Sequence, residues 1–456
     1  MKRRRFLTST LATTAATSGS AAVLAGCGGR SWRNAFEQNN LVASDADTAT
    51  LHPELAAVER DAEFIDAWGI AIRPAGAGGH FWVGAGGYSF EFVGDVKASP
   101  DVTLRSLFQD ALTVVKVPGA GVPEGETDVT NAEKFIGFTT GVAFNGAPLE
   151  SDRFVVRGQQ VVADGVARTL EGSARFVFAT DGGVISAWTD RALEGDIVRR
   201  NGSAVATIDG SAYGGAFFGV AVKTDTWDRL WVADFGADPQ IRGFDKNWQP
   251  IDLGRAFANP FIGARPKAEP GDYVPFNIQV LAVKGVDRVF VAYAKSQPDP
   301  NDPTKFFAAE EDTIAKEDET LTPDRGKVVM FDLEGRLLRV FADDKRLNAP
   351  WGLAVTPEDF GPFGEALLVG NFGGHGRIAA YDIGRGRFLG FLRRPNRRLV
   401  EIEGLWGLQF GNGASLGDSD ALYFAAGPGD EKQGLFGVLR HDDEWLGADG
   451  PGHRRR

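Results

Sequence analysis

The chain has 456 residues, among them 59 glycines, 33 phenylalanines and 10 tryptophans, and its aspartates and glutamates outnumber lysines and arginines by 61 to 49. That acidic balance leaves no electrostatic footprint for nucleic acid. A single cysteine excludes an intrachain disulfide, a CxxCH haem attachment and any Cys-rich metal site.

Residues 1–29, MKRRRFLTSTLATTAATSGSAAVLAGCGG, read as an export signal with a basic start and a weakly apolar middle. Arg3-Arg4-Arg5-Phe6-Leu7 fits the twin-arginine pattern, and Leu24-Ala25-Gly26-Cys27 resembles a lipobox whose cysteine is lipidated. The expected division is a twin-arginine lipoprotein signal over 1–26 and a lipidated linker over 27–34, then one folded unit over 35–445 and a tail over 446–456. Cys27 is then an anchor, and the protein faces the periplasm or the cell surface. No later run of about 18 apolar residues occurs, so no transmembrane helix is expected.

Beyond the signal, one pattern recurs. An inner strand opens on a bulky residue and, usually, glycine: WGIAI (68–72), TGVAF (140–144), FGVAV (218–222), FNIQV (276–280), WGLAV (351–355) and WGLQF (406–410). A second strand follows each: FWVGA (81–85), FVFAT (176–180), LWVAD (230–234), VFVAY (289–293), LLVGN (367–371) and LYFAA (422–426). The fourth residue of each second strand is small, at Gly84, Ala179, Ala233, Ala292, Gly370 and Ala425. Such a column implies close packing against a neighbouring sheet. Third strands follow in IRGFD (241–245), VVMFD (328–332) and IAAYD (378–382), and fourth strands in LEGRLLRVF (333–341) and IGRGRFLGFL (383–392). Alternating apolar positions with Gly/Asp turns predict four-stranded antiparallel units.

Six starts predict an all-β fold, a six-bladed β-propeller of four-stranded blades. The last unit lacks a fourth strand, and AFEQNNLVAS (35–44) is expected to supply it and latch the ring. Residues 145–174 lengthen the second unit between its first two strands. Residues 296–325 form an acidic loop in which Asp299, Asn301, Asp302, Glu310, Glu311 and Asp312 lack EF-hand spacing. A solvated loop is the first reading there, with calcium as the alternative.

Together APWGLAV, VPFNIQV, ALLVGNFG, EGLWGLQFGNG and LYFAAGPGDEKQGLFG resemble a conserved but uncharacterised family of exported bacterial six-bladed propellers, distantly similar to NHL-repeat proteins. The resemblance covers about residues 36–440. It implies the fold and the exported setting and brings no activity. The chain departs from the commoner layout in its lipoprotein signal and in showing no sorting tail.

Ligands of propellers usually bind where inner strands start and second strands end. The candidate mouth residues are therefore Thr180, Asp181, Asp234, Asn277, Tyr293, Lys295 and Asn371. Asn277 replaces the glycine of the other five starts. By architecture, gluconolactonase-like propellers hold a divalent metal there; Asp234, Asn277 and Asn371 are the weak candidates for calcium, and no cofactor is otherwise implied. The five histidines lack metal-ligand spacing. The starting aromatics either pack between blades or form a stacking mouth. The expected function is a monomeric, lipid-anchored binding or scaffold module for a protein, glycan or small molecule. A metal-dependent lactonase-type hydrolase is the alternative.

Overall fold

The computed structural model describes residues 33–44, 59–298, 306–309, 324–342 and 345–442, together with Pro303. Cys27, the acidic-loop residues named above, His52 and His453 lie outside them. No described helix is long and apolar enough to cross a membrane.

The described strands form an all-β propeller. All six expected inner strands are present: Ala67–Ala71, Thr139–Phe144, Phe217–Val222, Tyr273–Val283, Pro350–Val355 and Leu405–Phe410. Each pairs antiparallel with its expected second strand. The inner strands neighbour one another in chain order and the last returns to the first, so the sheets close on themselves.

Alternation along the strands builds the layers between sheets. In Phe81–Ala85, Phe81, Val83 and Ala85 join Tyr423, Ala425 and Phe436 of the last sheet. Trp82 turns the other way, into a cluster with Phe176, Phe178 and Trp188 of the next sheet. Successive side chains of a strand point to opposite faces, and here both faces are buried, which is why these strands read as nearly continuous apolar runs.

The predicted latch is present. Phe36–Ala43 pairs antiparallel with Leu435–His441, running from Phe36 opposite His441 to Ala43 opposite Leu435, with a bulge between Asn40 and Val42. Phe36 is fully buried with Phe360 and Leu439, so side-chain packing as well as backbone pairing fastens the ends.

The expectation of six equal four-stranded blades is corrected. Counted as regular blades, the ring reads as five, each a sheet of four or five strands; the first unit belongs instead to an eight-stranded sheet. The 145–174 insertion causes the difference. It contains the hairpin Val155–Ala163/Val166–Ser173, which reaches back to the preceding unit. Gly202–Ser203 pairs with both Val161 of the hairpin and Val115–Lys116 of the first unit, bridging the two. Pairing covers an outer edge that would otherwise offer unpaired backbone groups.

Candidate functional site

The repeated glycines set the geometry of the axis. A Cβ on Gly69 would lie 2.6 Å from the Thr140 carbonyl oxygen and 2.7 Å from the Val142 nitrogen; one on Gly141 would lie 2.8 Å from the Val220 nitrogen. Gly219 abuts Asn277, Gly352 abuts the Trp406 carbonyl and Gly407 abuts the Trp68 carbonyl. Five of the six inner strands therefore press their backbone against the next, an approach that only glycine permits. Gly84 of the first unit's second strand serves the same contact. A Cβ on Gly84 would lie 2.7 Å from the Thr139 carbonyl oxygen.

Asn277 is the exception in the glycine column, and the structure gives it a bridging role. Its Nδ2 donates to the Trp351 carbonyl at 2.8 Å, and its Oδ1 accepts from the Ile278 amide at 2.8 Å. The amide spans the one inter-strand gap that no glycine closes.

Close inner strands leave a narrow axis, and the starting aromatics fill it. Trp68 and Trp406 stack with centroids 3.4 Å apart, and Trp351 meets both edge-on at 5.9 and 6.0 Å. Phe218 lies 5.4 Å from Trp68 and from Phe276, and Phe276 lies 5.8 Å from Trp406. Phe372 covers Trp406 at 3.9 Å, nearly parallel. Non-adjacent strands thus touch across the centre. Of the two expected roles the structure fits packing: rings of different sheets pack on one another as an axial plug, and Trp68, Phe276, Trp351 and Trp406 are buried. Thr140, the one non-aromatic start, donates its hydroxyl to the Phe217 carbonyl at 2.6 Å, with the Ala179 carbonyl 3.1 Å away.

The indole N–H groups of this plug need acceptors. Asp66 supplies two, accepting from Trp68 Nε1 at 2.5 Å and Trp406 Nε1 at 2.9 Å; Trp351 Nε1 donates to the Phe218 carbonyl. Asp66 sits at φ 45°, a left-handed conformation that aims its carboxyl inward. Burial raises its pKa well above the usual carboxylate range, and the Glu431 charge adds to this against the pull of the indoles. Burial, then Asp181 and Asp430, push Glu431 up to about 7. Asp66, Asp181 and Glu431 thus put three mutually repelling carboxyls at the mouth above the plug. Sequence reasoning found Asp181 and missed the other two, which are loop acids without a repeat position. Among the described residues no three His, Cys, Asp or Glu side chains are arranged to hold a metal.

Among the remaining candidates, Thr180, Asp181, Asp234 and Asn371 have hydrogen-bond partners within the fold. Asp181 accepts from the Phe138 amide at 2.5 Å, and Thr180 closes its turn with Val184. Asp234 is buried and accepts from the Ala216 and Gly236 amides and from Arg242 Nε. Burial raises its pKa in spite of these bonds. Asn371 accepts from the Asn348 amide and donates to the Arg346 and Arg377 carbonyls. Tyr293 is wholly buried and its pKa is raised by that burial; Lys295 lies 5.0 Å from the Tyr273 ring. Asp234, Asn277 and Asn371 sit on three successive sheets, and none hydrogen-bonds another. Two clefts, of about 540 and 730 Å³, lie elsewhere, and none of the seven candidates lines them.

No protein-family model matches the chain. It is 25% identical over 389 residues to an uncharacterised protein of Acanthamoeba polyphaga mimivirus, spanning 85% of this chain and 77% of that one. A second uncharacterised protein of the same virus is 29% identical over 227 residues, spanning 49% and 51% respectively. Among solved structures, similarity extends to a luciferin-regenerating enzyme (TM-score 0.41, 12% identity, 83% of this chain and 93% of that one). It extends also to a WD40 domain from Neurospora crassa (TM-score 0.34, 11% identity, 88% and 95%). A gluconolactonase of Xanthomonas campestris is similar at TM-score 0.28 and 16% identity, over 65% and 99%.

Proposed function

We propose that the protein is a binding or scaffold propeller that engages its partner on the mouth face of a plugged ring. The observation that carries this reading is the axial plug. Five rings from five inner strands touch one another at the centre, so little space is left along the axis for a small ligand. A partner is then met by the surrounding loops, where propellers place variable contacts on a rigid frame. The lactonase-type alternative would require Asp234, Asn277 and Asn371 to exchange their present hydrogen bonds for calcium.

The finer architecture belongs to the same proposal. The eight-stranded sheet counts as a sixth, enlarged blade, supported by its inner strand taking one of the six places around the axis. The 35–445 unit follows a twin-arginine lipoprotein signal, Cys27 carries the lipid, and the chain is an exported member of the uncharacterised bacterial, NHL-like propellers described above. Motif agreement in the sequence supports these readings.

Photo-crosslinking in intact cells tests the binding role. A crosslinker at Asp181 or Glu431 is expected to give discrete adducts, and one at Val162, on the far hairpin, to give none. Empty lanes from both mouth positions would sink the reading. So would calcium-dependent hydrolysis of a lactone panel abolished by Asp234→Ala.

A further inference from the structure

An acidic chain carries one long basic segment. Between Asp382 and Glu401 the sequence IGRGRFLGFLRRPNRRLV contains six arginines and no acid. It forms the outermost strand of its sheet, Phe388–Phe391, and the turns on either side. Arg385, Arg387, Arg397 and Arg398 are exposed. Leu389 on that strand is 47% exposed.

The neighbouring sheet extends this surface. Its outer strand, Leu337–Val340, exposes Leu337, Leu338 and Val340. The two edges are joined, since the Ala342 amide donates to the Gly386 carbonyl at 2.9 Å and Arg346 lies 4.3 Å over the Phe388 ring. Aliphatic side chains standing among arginines are the composition of a surface that meets anionic headgroups and the first methylenes beneath them.

The N-terminal segment enters the fold at this same place. Asn34 Nδ2 donates to the Phe391 carbonyl at 2.8 Å, the Arg393 amide donates to Asn34 Oδ1 at 3.0 Å, and the Phe36 amide donates to the Arg393 carbonyl at 2.7 Å. Arg33 also donates to the Pro395 carbonyl. Cys27 precedes Arg33 by six residues, a reach of at most about 20 Å. A lipid on Cys27 would therefore hold this edge, before any other part of the propeller, against the bilayer.

We propose that the Arg385–Arg398 edge, with Leu389 and the Leu337–Val340 strand, docks on the surface of an anionic phospholipid bilayer. A basic edge held beside a lipid anchor adds electrostatic attraction to anionic headgroups. The proposal rests on the anchoring reading of Cys27, and the two are separable by experiment.

The full chain carrying Cys27→Ala is mixed with vesicles of phosphatidylglycerol and phosphatidylcholine, or of phosphatidylcholine alone, and binding is read by flotation. Binding to the anionic vesicles only is expected, weakened about tenfold or more by high salt and by Arg385→Glu/Arg387→Glu/Arg397→Glu/Arg398→Glu together. A melting curve for the charge-reversed chain matching the parent keeps its loss of binding interpretable; the milder Arg397→Gln/Arg398→Gln chain replaces it if it does not fold. No binding to anionic vesicles overturns the proposal, as does binding unchanged by charge reversal. Retention on soluble polyglutamate without vesicle binding also overturns it, in favour of an acidic protein partner. Metabolic labelling with a radioactive fatty acid tests the anchor separately: a parent chain that takes up no more label than Cys27→Ala refutes lipidation and leaves the vesicle result standing.

Discussion

Gly69→Ala is the most direct test of how the axis is built. The added methyl would sit 2.6 Å from the Thr140 carbonyl oxygen, whereas ordinary contact begins near 3.4 Å. The atoms in its way are backbone atoms of the next inner strand, so no side chain can rotate to make room. That strand is itself pressed on the following one through Gly141. Relief therefore requires the inner strands to spread by most of an ångström, loosening the indole stack that they surround. Overpacking of this kind costs about 1–3 kcal/mol, and contact on backbone places it near the upper end. With an unfolding entropy of about 2 cal/mol/K per residue over ~400 residues, a loss of ~3 kcal/mol lowers the melting temperature by roughly 3–4 °C. Thermal melting followed by circular dichroism measures the shift, and tryptophan emission reports whether Trp68 and Trp406 gain water, as a red shift. Gly384→Ala is the control, because its Cβ would meet nothing nearer than Asp382 Oδ1 at 3.3 Å. A Gly69→Ala protein as stable as that control, with unshifted emission, would refute the close-approach account.

Three further outcomes are expected. Asp66→Ala removes the acceptor of two buried indole N–H groups and should cost about 2–4 kcal/mol in urea unfolding; a change under 0.5 kcal/mol would mean water replaces the carboxyl. Because Asp66 and Glu431 have raised pKa values in the folded state, that state binds more protons than the unfolded chain. Their contribution is present below the ordinary carboxylate range and is lost as pH rises toward and past about 7. The melting temperature should therefore fall between about pH 5 and pH 8, with a smaller slope in Glu431→Gln; an equal slope in that variant contradicts the assignment. Asp190 is fully buried against Arg73 at 2.8 Å and Arg199 at 3.0 Å, so Asp190→Asn should destabilise by about 3–5 kcal/mol, read as a lower urea midpoint at unchanged slope.

Much of the fold was legible because it repeats. The inner and second strands stood out through their recurring short apolar runs and through the column of small residues from Gly84 to Ala425. The latch was legible as a missing strand at one end of the chain and a spare one at the other. The hairpin at 155–173 was visible as an insertion, but its docking on the preceding unit depends on edge pairing through Gly202–Ser203, which leaves no local pattern. At the site, Asn277 announced itself by breaking the glycine column, yet the break marks a bridge to Trp351 and not a ligand. Asp66 and Glu431 carry no periodic signal. The carboxyl of Asp66 meets the indoles only because a left-handed backbone and a closed ring bring them together, and neither can be read from neighbouring residues.

The pairing of Phe36–Ala43 with Leu435–His441 has a consequence for how the molecule is made. The first strand to leave the ribosome waits for almost the last, so synthesis of all the intervening sheets precedes locking. Until then Phe36–Asn40 must wait for its partner without finding another edge, only Val42 and Ala43 having an early one in Glu59–Arg60. A chain cut shortly before Leu435 would lose two strands of that sheet at once, the missing one and the orphaned first. Such fragments should be cleared by proteases instead of accumulating as an open ring, which gives a cell a simple way to discard incomplete copies.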